Sequence, residues 1–558
     1  MPAAKISPAR PACAYLHPTR RTIAPHGHFP AMDSAATLLY AALLVSALLF
    51  LLLARRRGRG TLPPGPAGFP LVGSLPSLDP ELHAYFARLA SRHGPIFSIR
   101  LGSKLGVVVS SPALAREVLR EQDLLFSGRD VPDAARSISY GGGQNIVWNP
   151  VGPTWRLLRR ACVREMLSPA GLDAVRGLRA REFRATLAHL HRRAGEGSPV
   201  DVGAQMFLTV MNVITGTLWG GTIGAEDERA AVGKEFRHLV AEITEMLGAP
   251  NVSDFFPALA RFDLQGIRSK SDALKERFNQ MFARIIAKRV DDKAQQQQQQ
   301  EDDFLGYMLK LDKEGGDGKA EFTMTNVKAL LMDMVVGGTE TTSNTVEWAM
   351  AELMQQPRLL AKVRDELDAV VGRDAVVEEA HLPRLRYLHA VIKETLRLHP
   401  ALPLMVPHCP SADATVAGYL VPAGSRVFVN VWAIMRDPAV WKDPTEFIPE
   451  RFLDDDAAGN GGGQEAAGRG SGSWDFNGGG DMAYLPFGSG RRICAGIAMA
   501  DRMTGYSLAM LLQAFDWELP PGERLDLAGR FGIVMKKATP LVAVPTPRLS
   551  SPHLYSAA

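Results

Sequence analysis

The sequence predicts a mainly α protein with a minor β subdomain, built as one large domain behind an N-terminal membrane-spanning helix. Three observations carry this expectation. Apolar residues recur at helical spacing through most of Pro153–Leu360 and again over Pro357–His399, the mark of amphipathic helices. Strand-like runs are few and short. No shift in composition divides the body that follows the apolar N-terminal stretch.

Residues 1–31 contain no Asp or Glu but do contain Lys5, Arg10, Arg20 and Arg21. A transit peptide has this character. The alternative is an upstream start with Met32 as the true first residue, and it is preferred because the chain after Met32 already makes a complete N-terminus. Ala35–Ala54 is an unbroken apolar run, long enough to cross a bilayer as a helix. Arg55, Arg56, Arg57 and Arg59 follow at once, which places that end in the cytosol. The run is too long for a cleaved signal peptide and lacks a small-residue cleavage site, so a retained signal anchor is expected. Residues 55–70 are a basic and proline-rich hinge, ending in Pro63-Pro64-Gly65-Pro66-Ala67-Gly68-Phe69-Pro70, a stiff spacer.

The domain proper is expected over 71–550. It opens with a helix at Leu82–His93 and strands at Ile96–Arg100 and Leu105–Val109. The helical region from Pro153 is broken at Gly248–Pro257 and at Gln295–Gln300, the second read as a solvated loop. Further strands are expected at Ala417–Leu420 and Ser425–Val429. Residues 454–481 are Gly-rich and poor in core formers, and read as a surface loop.

A net charge of +4 with no zinc-finger spacing or long basic tract excludes a nucleic-acid binder. Four cysteines, none in CxxC spacing, are too few for a disulfide framework and suit a reducing compartment.

Two stretches carry chemistry. In Phe487-Gly488-Ser489-Gly490-Arg491-Arg492-Ile493-Cys494-Ala495-Gly496, glycines let the backbone approach a flat ligand closely, and one cysteine stands just before a helix. Nearby N–H groups and arginines are expected to lower the pKa of that thiol, and a thiolate so held is a good iron ligand. In Val336-Gly337-Gly338-Thr339-Glu340-Thr341-Thr342, two glycines and four polar residues interrupt a buried helix. Such a helix is expected to open locally, leaving room beside an acid and a hydroxyl, the parts of a proton relay. Weaker signals are Glu394-x-x-Arg397 and Trp155-x-x-x-Arg159, each placing two side chains on one helix face. Glu117–Arg120 and Glu226–Arg229 match the first pattern too and read as solvated pairs.

Together these stretches resemble the cytochrome P450 monooxygenases. The match covers the chain from the anchor to about Val544, with all motifs in family order, and the text around Asp443–Phe452 is similar to plant A-type microsomal members of the flavonoid 3'-hydroxylase-like and terpenoid-oxidising branches. The resemblance implies haem b (iron protoporphyrin IX) with Cys494 as its thiolate ligand, and Phe487, Gly490, Arg492 and Gly496 in its binding loop. It implies that Gly337 and Gly338 lie over the haem, that Glu340 and Thr341 deliver protons, and that Trp155, Arg159, Arg492 and His408 hold the propionates. His408 departs from the more usual arginine. Glu394, Arg397 and Arg451 would form a structural core.

The implied function is insertion of one atom of dioxygen into a small hydrophobic metabolite, phenolic or terpenoid. No flavin or nicotinamide fingerprint occurs in the chain, so electrons would come from a separate NADPH-dependent cytochrome P450 reductase. The implied location is the endoplasmic reticulum membrane, single-pass in lipid, with the catalytic domain cytosolic. Substrate-facing segments, by position, are Ser137–Trp148, the helix near Met334 and Gly338, Ala401–Val406 and Phe531–Val534. Two rivals stand beside this reading: a haem–thiolate isomerase or dehydratase, and a membrane-tethered haem protein without turnover.

Overall fold

The computed structural model describes residues 62–220, 226–295, 303–453, 476 and 482–556. The anchor, the basic half of the hinge, most of the Gly-rich loop and Gln296–Gln300 lie outside the described residues. Five helices build the site: α1 (Pro153–Ala161), α2 (Val202–Trp219), α3 (Met324–Gln355), α4 (Arg386–Leu398) and α5 (Ile497–Ala514).

Helix α3 is the axis. Its 32 residues span about 48 Å at 1.5 Å per residue. The N–H of Thr323 donates to Asn326 Oδ1 at 2.9 Å, closing the start of the helix. Helices α2 and α5 pack along it. Helix α2 is apolar enough to span a membrane, but its apolar window is 78% buried, which makes it a core helix.

A five-stranded sheet flanks the helices: β1 (Ile96–Leu101), β2 (Lys104–Val109), β3 (Gly128–Arg129), β4 (His408–Cys409) and β5 (Arg426–Val429), in the order β1-β2-β5-β4-β3. Only β2 and β5 run parallel, with Val107 opposite Val427. Valines on both strands are buried, which suits interior strands. The register of β3 and β4 sets Arg129 opposite His408, so two short strands far apart in sequence present one cross-strand pair.

Most predicted elements stand where expected, and Leu82–His93 matches residue for residue. Three differ. Ala417 and Gly418 are the turn of a small hairpin between Ala414–Val416 and Tyr419–Val421, both with positive φ (49° and 79°); the run is two short strands, not one. The helix begun at Ile267 extends to Gln295, the first residue of the glutamine tract. At the first of the weak acid–arginine matches, Glu117 accepts the Ala417 N–H at 3.1 Å and Arg120 donates to Ser489 Oγ at 3.0 Å, so both serve tertiary contacts.

Glu394 and Arg397 of α4 are sealed from water. Arg397 Nε and Nη2 reach the two carboxylate oxygens of Glu394 at 2.7 and 2.8 Å. The remaining guanidinium donors go to the carbonyls of Met435, Pro444 and Glu446 at 2.9, 2.7 and 3.0 Å. Arg451 Nε adds a bond to Glu394 Oε1 at 3.2 Å, and the Ile448 N–H another at 2.8 Å. One helix thereby fixes the irregular segment 435–451, whose own backbone has no strand or long helix to satisfy it.

A second tie positions the site. Asp333 of α3 accepts the Ile146 N–H at 2.8 Å and the Asn145 amide at 2.9 Å. It pins the loop before α1 against the central helix. Burial pushes its carboxyl up to about 7, against the N–H donors that favour the anion.

Two outcomes follow for stability. Arg397→Lys should cost about 3–5 kcal/mol in urea unfolding of the holoprotein, because three ammonium donors cannot replace five fixed ones; a loss below about 1 kcal/mol would contradict the network's role. For Asp333 the folded value lies above the ordinary 3.8, so its contribution is full in acid and is lost as pH rises through about 7. Asp333→Asn should flatten the fall in melting temperature between about pH 4 and pH 7.

Candidate functional site

The cysteine loop is closed by its own backbone. The Cys494 N–H donates to the Phe487 carbonyl at 3.0 Å. Gly490 has φ 69°, and a Cβ there would stand 2.0 Å from the Leu119 carbonyl oxygen, so only glycine lets the loop seat against that segment. Helix α5 starts immediately after, and the Gly496 N–H points at Cys494 Sγ at 3.3 Å.

That geometry places the sulfur where expected, but burial outweighs the donors. The thiol is pushed up from its ordinary range by desolvation, against the Gly496 N–H and the Arg159 charge that favour the thiolate. Cys494 has accessible surface, yet that surface faces an internal cavity, so the sulfur is open to a ligand and removed from bulk water. The expected low thiol pKa is therefore not a property of the loop alone; a cation at the sulfur is what would hold the thiolate.

The cavity has a volume of about 390 Å³ and is lined mostly by apolar side chains. Cys494, Phe487, Gly496 and Arg492 of the loop reach it, as do Gly337, Gly338 and Thr341 of α3, Arg159 of α1 and His408 of β4. All four substrate-facing segments contribute, through residues such as Val147, Met334, Met405 and Val534. Trp155, Gly490 and Glu340 are not on its surface. Trp155 stands behind the wall, between Arg159 and Arg492, whose guanidinium carbons lie 5.5 and 5.1 Å from its ring centre. Gly490 acts through loop packing. Glu340 turns away to an ion pair with Lys536.

Helix α3 does not open as expected. It is α-helical throughout, with the Thr341 hydroxyl donating to the Gly337 carbonyl at 2.9 Å and that of Thr342 to Gly338 at 3.1 Å. Threonine hydroxyls bonded one turn back are compatible with an intact helix. The room beside Thr341 comes from a missing side chain: a Cβ on Gly337 would meet nothing within 4 Å, whereas one on Gly338 would strike Ile214 of α2 at 2.5 Å. Gly337 thus leaves a flat stretch of helix facing the cavity, and Gly338 lets α2 approach.

One edge of the cavity gathers positive charge. Arg492 donates to the carbonyls of Ser127, Ile146 and Asn149 at 2.8, 3.0 and 2.6 Å. Arg159 donates to Ile493 at 2.6 Å. Arg129, which sequence reasoning missed, donates to the Val406 carbonyl, and its Nε has no partner. Among the described residues none of these three has a carboxylate partner. Burial lowers Arg129 to about 9 and Arg492 to about 10. The signal for Arg129 lay in Ser127-Gly128-Arg129, a run too short to read as a strand. Uncompensated buried guanidinium groups call for anions, so a flat cofactor carrying carboxylates at one edge fits this wall. His408, opposite Arg129, is pulled down to about 3 by burial and the Arg129 charge. Its Nδ1 donates to the Phe126 carbonyl at 2.8 Å, so the neutral ring offers Nε2 as an acceptor and donates to an anion only once doubly protonated.

Comparisons with known proteins identify the family. The family model described as Cytochrome P450 matches residues 63–544. A flavonoid 3'-monooxygenase of Crocosmia x crocosmiiflora is 38% identical over 514 residues, covering 91% of this chain and 97% of that protein. A geraniol 8-hydroxylase of Swertia mussotii is 39% identical, covering 87% of this chain and 94% of its own. The solved structure of a zebra fish cytochrome P450 with progesterone superposes with a TM-score of 0.68 at 27% identity, over 84% of this chain and 99% of that one. A thiol on a largely apolar cavity, a charged edge awaiting carboxylates and a matched length of nearly five hundred residues lead to one conclusion: this chain belongs to the cytochrome P450 family.

Proposed function

We propose that the protein is a haem–thiolate monooxygenase that places one oxygen atom from dioxygen on a small hydrophobic specialised metabolite, a flavonoid or other phenolic, or a terpenoid. The observation that carries this reading is that Cys494 and the Thr341 hydroxyl border the same apolar cavity. The relatives support the substrate class, since they include the flavonoid and geraniol hydroxylases and a carnosic acid synthase of Rosmarinus officinalis, 36% identical over 88% of this chain.

Haem, when bound, supplies dioxygen activation and O–O cleavage, with thiolate ligation favouring the cleavage. The residues of this chain divide the remaining work. Cys494 is the ligand, and Gly337 gives the ring its space. Arg129, Arg159 and Arg492 receive the carboxylates, with Trp155 holding two of these arginines in place, while His408 borders that edge as a neutral ring that offers no donor to an anion. Thr341 holds a proton-bearing hydroxyl at the cavity, and Glu340 beside it in the chain is the acid. The apolar walls exclude water and orient substrate. A proton relay is needed for oxygen chemistry and not for isomerisation or gas binding, which ranks those readings below this one.

Electrons come from a separate NADPH-dependent reductase. Its docking face includes the side of Arg491, which is half exposed and paired with Asp123 at 3.2 Å. The tether at Ala35–Ala54 places the protein on the endoplasmic reticulum membrane, single-pass, with the domain in the cytosol.

Expression with a reductase in microsomes, with geraniol and a flavonoid panel under isotope-labelled dioxygen, should give a product heavier by one labelled oxygen; none from any phenolic or terpenoid would overturn the substrate class. Thr341→Ala should lower product on the order of a hundred-fold while NADPH consumption continues and peroxide appears; unchanged product would favour the readings without a relay. Arg491→Glu should slow reduction of the haem protein in stopped flow and flatten its salt dependence, and an unchanged salt dependence would remove that face from the docking site.

A further inference from the structure

Glu340 lies in the middle of α3, buried, and its carboxylate is not on the cavity surface. Its Oε1 is paired with Lys536 Nζ. Its Oε2 is buried with no protein partner. A buried carboxylate oxygen left without a donor is costly, so this one is kept for something other than packing.

Lys536 does not belong to the helices. It sits in a two-stranded hairpin, β6 (Gly529–Arg530) and β7 (Lys536–Lys537), where Arg530 pairs with Lys536. The connection between those strands carries Ile533 and Val534, both on the cavity wall. The same connection is held at two other points. The Met535 N–H donates to the Ala401 carbonyl at 2.8 Å, and the Met535 carbonyl accepts the Asn344 amide of α3 at 3.3 Å. Lys537, next in the chain, stands over the Trp348 ring of α3 at 4.8 Å. The hairpin is therefore clasped to α3 at Glu340 and at Asn344 and Trp348 one and two turns further along, and the ion pair is the charged member of that clasp.

We propose that Lys536 is a positioning residue for proton delivery: it fixes the Glu340 carboxylate through Oε1, leaves Oε2 free to hold the proton, and makes that arrangement depend on what presses against Ile533 and Val534. The physical content is short leverage. Val534, in the bend before the strand, and Lys536, its first residue, are two residues apart in the chain, so an occupant that displaces the first moves the second. An empty or underfilled cavity leaves the clasp loose, and a well-fitting occupant sets it. Selectivity in the cavity and proton supply at the acid are then coupled through one strand. The proposal rests on the monooxygenase reading for the use of the proton, and on the ion pair alone for the clasp.

The test uses the full-length holoprotein with its reductase, and the variants Lys536→Met, Lys536→Arg, Glu340→Gln, the Met/Gln double variant and Val534→Ala. Two readouts are taken during turnover of whichever panel compound is oxidised: peroxide released per NADPH, and the solvent isotope effect on NADPH oxidation. A third, hydrogen exchange of the 529–538 segment in the resting protein, needs no turnover. Lys536→Met and Glu340→Gln should each raise the peroxide fraction and the isotope effect several-fold, the double variant should add nothing further, and Lys536→Arg should restore the native values. Val534→Ala should raise the peroxide fraction in the native background and leave it unchanged beside Lys536→Met. Exchange should quicken equally in Lys536→Met and Glu340→Gln. Should Lys536→Met fail to give a carbon-monoxide difference spectrum, Lys536→Gln takes its place. Native peroxide and isotope values in Lys536→Met, or additive effects in the double variant, would overturn the proposal. If the native protein consumes no dioxygen, the monooxygenase reading falls and the proton role with it, while hydrogen exchange still reports whether the clasp exists.

Discussion

Everything near the cysteine loop depends on a carboxylate and a guanidinium that water does not reach. Burying Glu394 and Arg397 costs several kcal/mol per ion before any contact is made. The offset comes from completeness: five guanidinium donors and both carboxylate oxygens find partners, at 2.7 to 3.0 Å for Arg397. A half-satisfied version would be worse than an apolar core. The return is positional. Three carbonyls from an irregular stretch are gathered around one side chain, and Trp441 packs 5.1 Å from the guanidinium carbon. The Tyr484 hydroxyl then donates to the Lys393 carbonyl of the same helix at 3.1 Å, so the segment entering the cysteine loop is anchored to α4 as well. A loop with three glycines could not hold a metal-ligating sulfur in place by its own stiffness.

The opposite edge of the cavity is built on an unpaid charge. Arg129, Arg159 and Arg492 are satisfied by carbonyls, which accept hydrogen bonds but do not neutralise cations. Burial accordingly lowers the pKa of all three. Anionic carboxylates arriving there would remove that penalty, so cofactor binding and folding stability are linked by mass action. The Ile146 carbonyl makes the linkage local: it accepts from Trp155 Nε1 and Arg492 Nη1, both at 3.0 Å, while the N–H of the same residue is held by Asp333. The charged edge, the loop over the cavity and the central helix therefore meet at one residue.

What could be read from the sequence follows from how local each feature is. The cysteine loop, the Gly337–Gly338 pair and the Trp155–Arg159 face are contiguous, so spacing alone brings their side chains together. Leu82–His93 was legible for the same reason, since a helix face repeats every turn. Arg129 was not, because a two-residue strand has no period; its meaning comes from the register that sets it opposite His408, nearly three hundred positions away. Asp333 and Lys536 were invisible for a related reason. Nothing beside Asp333 announces the loop it will hold, and nothing beside Glu340 announces a lysine from the C-terminal hairpin. The thiol pKa of Cys494 was misjudged because neighbours can be counted in a sequence and desolvation cannot.

The walls that would select a substrate obey a further restriction. The hydroxyls of Thr244, Thr341, Thr342 and Thr345 all point at the cavity's helices and donate to carbonyls one turn back, Thr244 to Val240 at 3.0 Å and Thr345 to Thr341 at 2.8 Å. The hydrogens of Thr244, Thr342 and Thr345 are committed to those carbonyls, so these three offer a substrate acceptor lone pairs. An apolar wall of this kind discriminates by shape, at about 1–3 kcal/mol per methylene, and does not reject strongly an isostere that adds a hydroxyl. Tight selectivity for one oxygenation pattern would need a buried donor aimed at it. The helical walls thus contribute to selection chiefly by fit, against side chains such as Ile214, Met334, Met405 and Val534, on helices, loops and a hairpin distant in sequence from the cysteine loop.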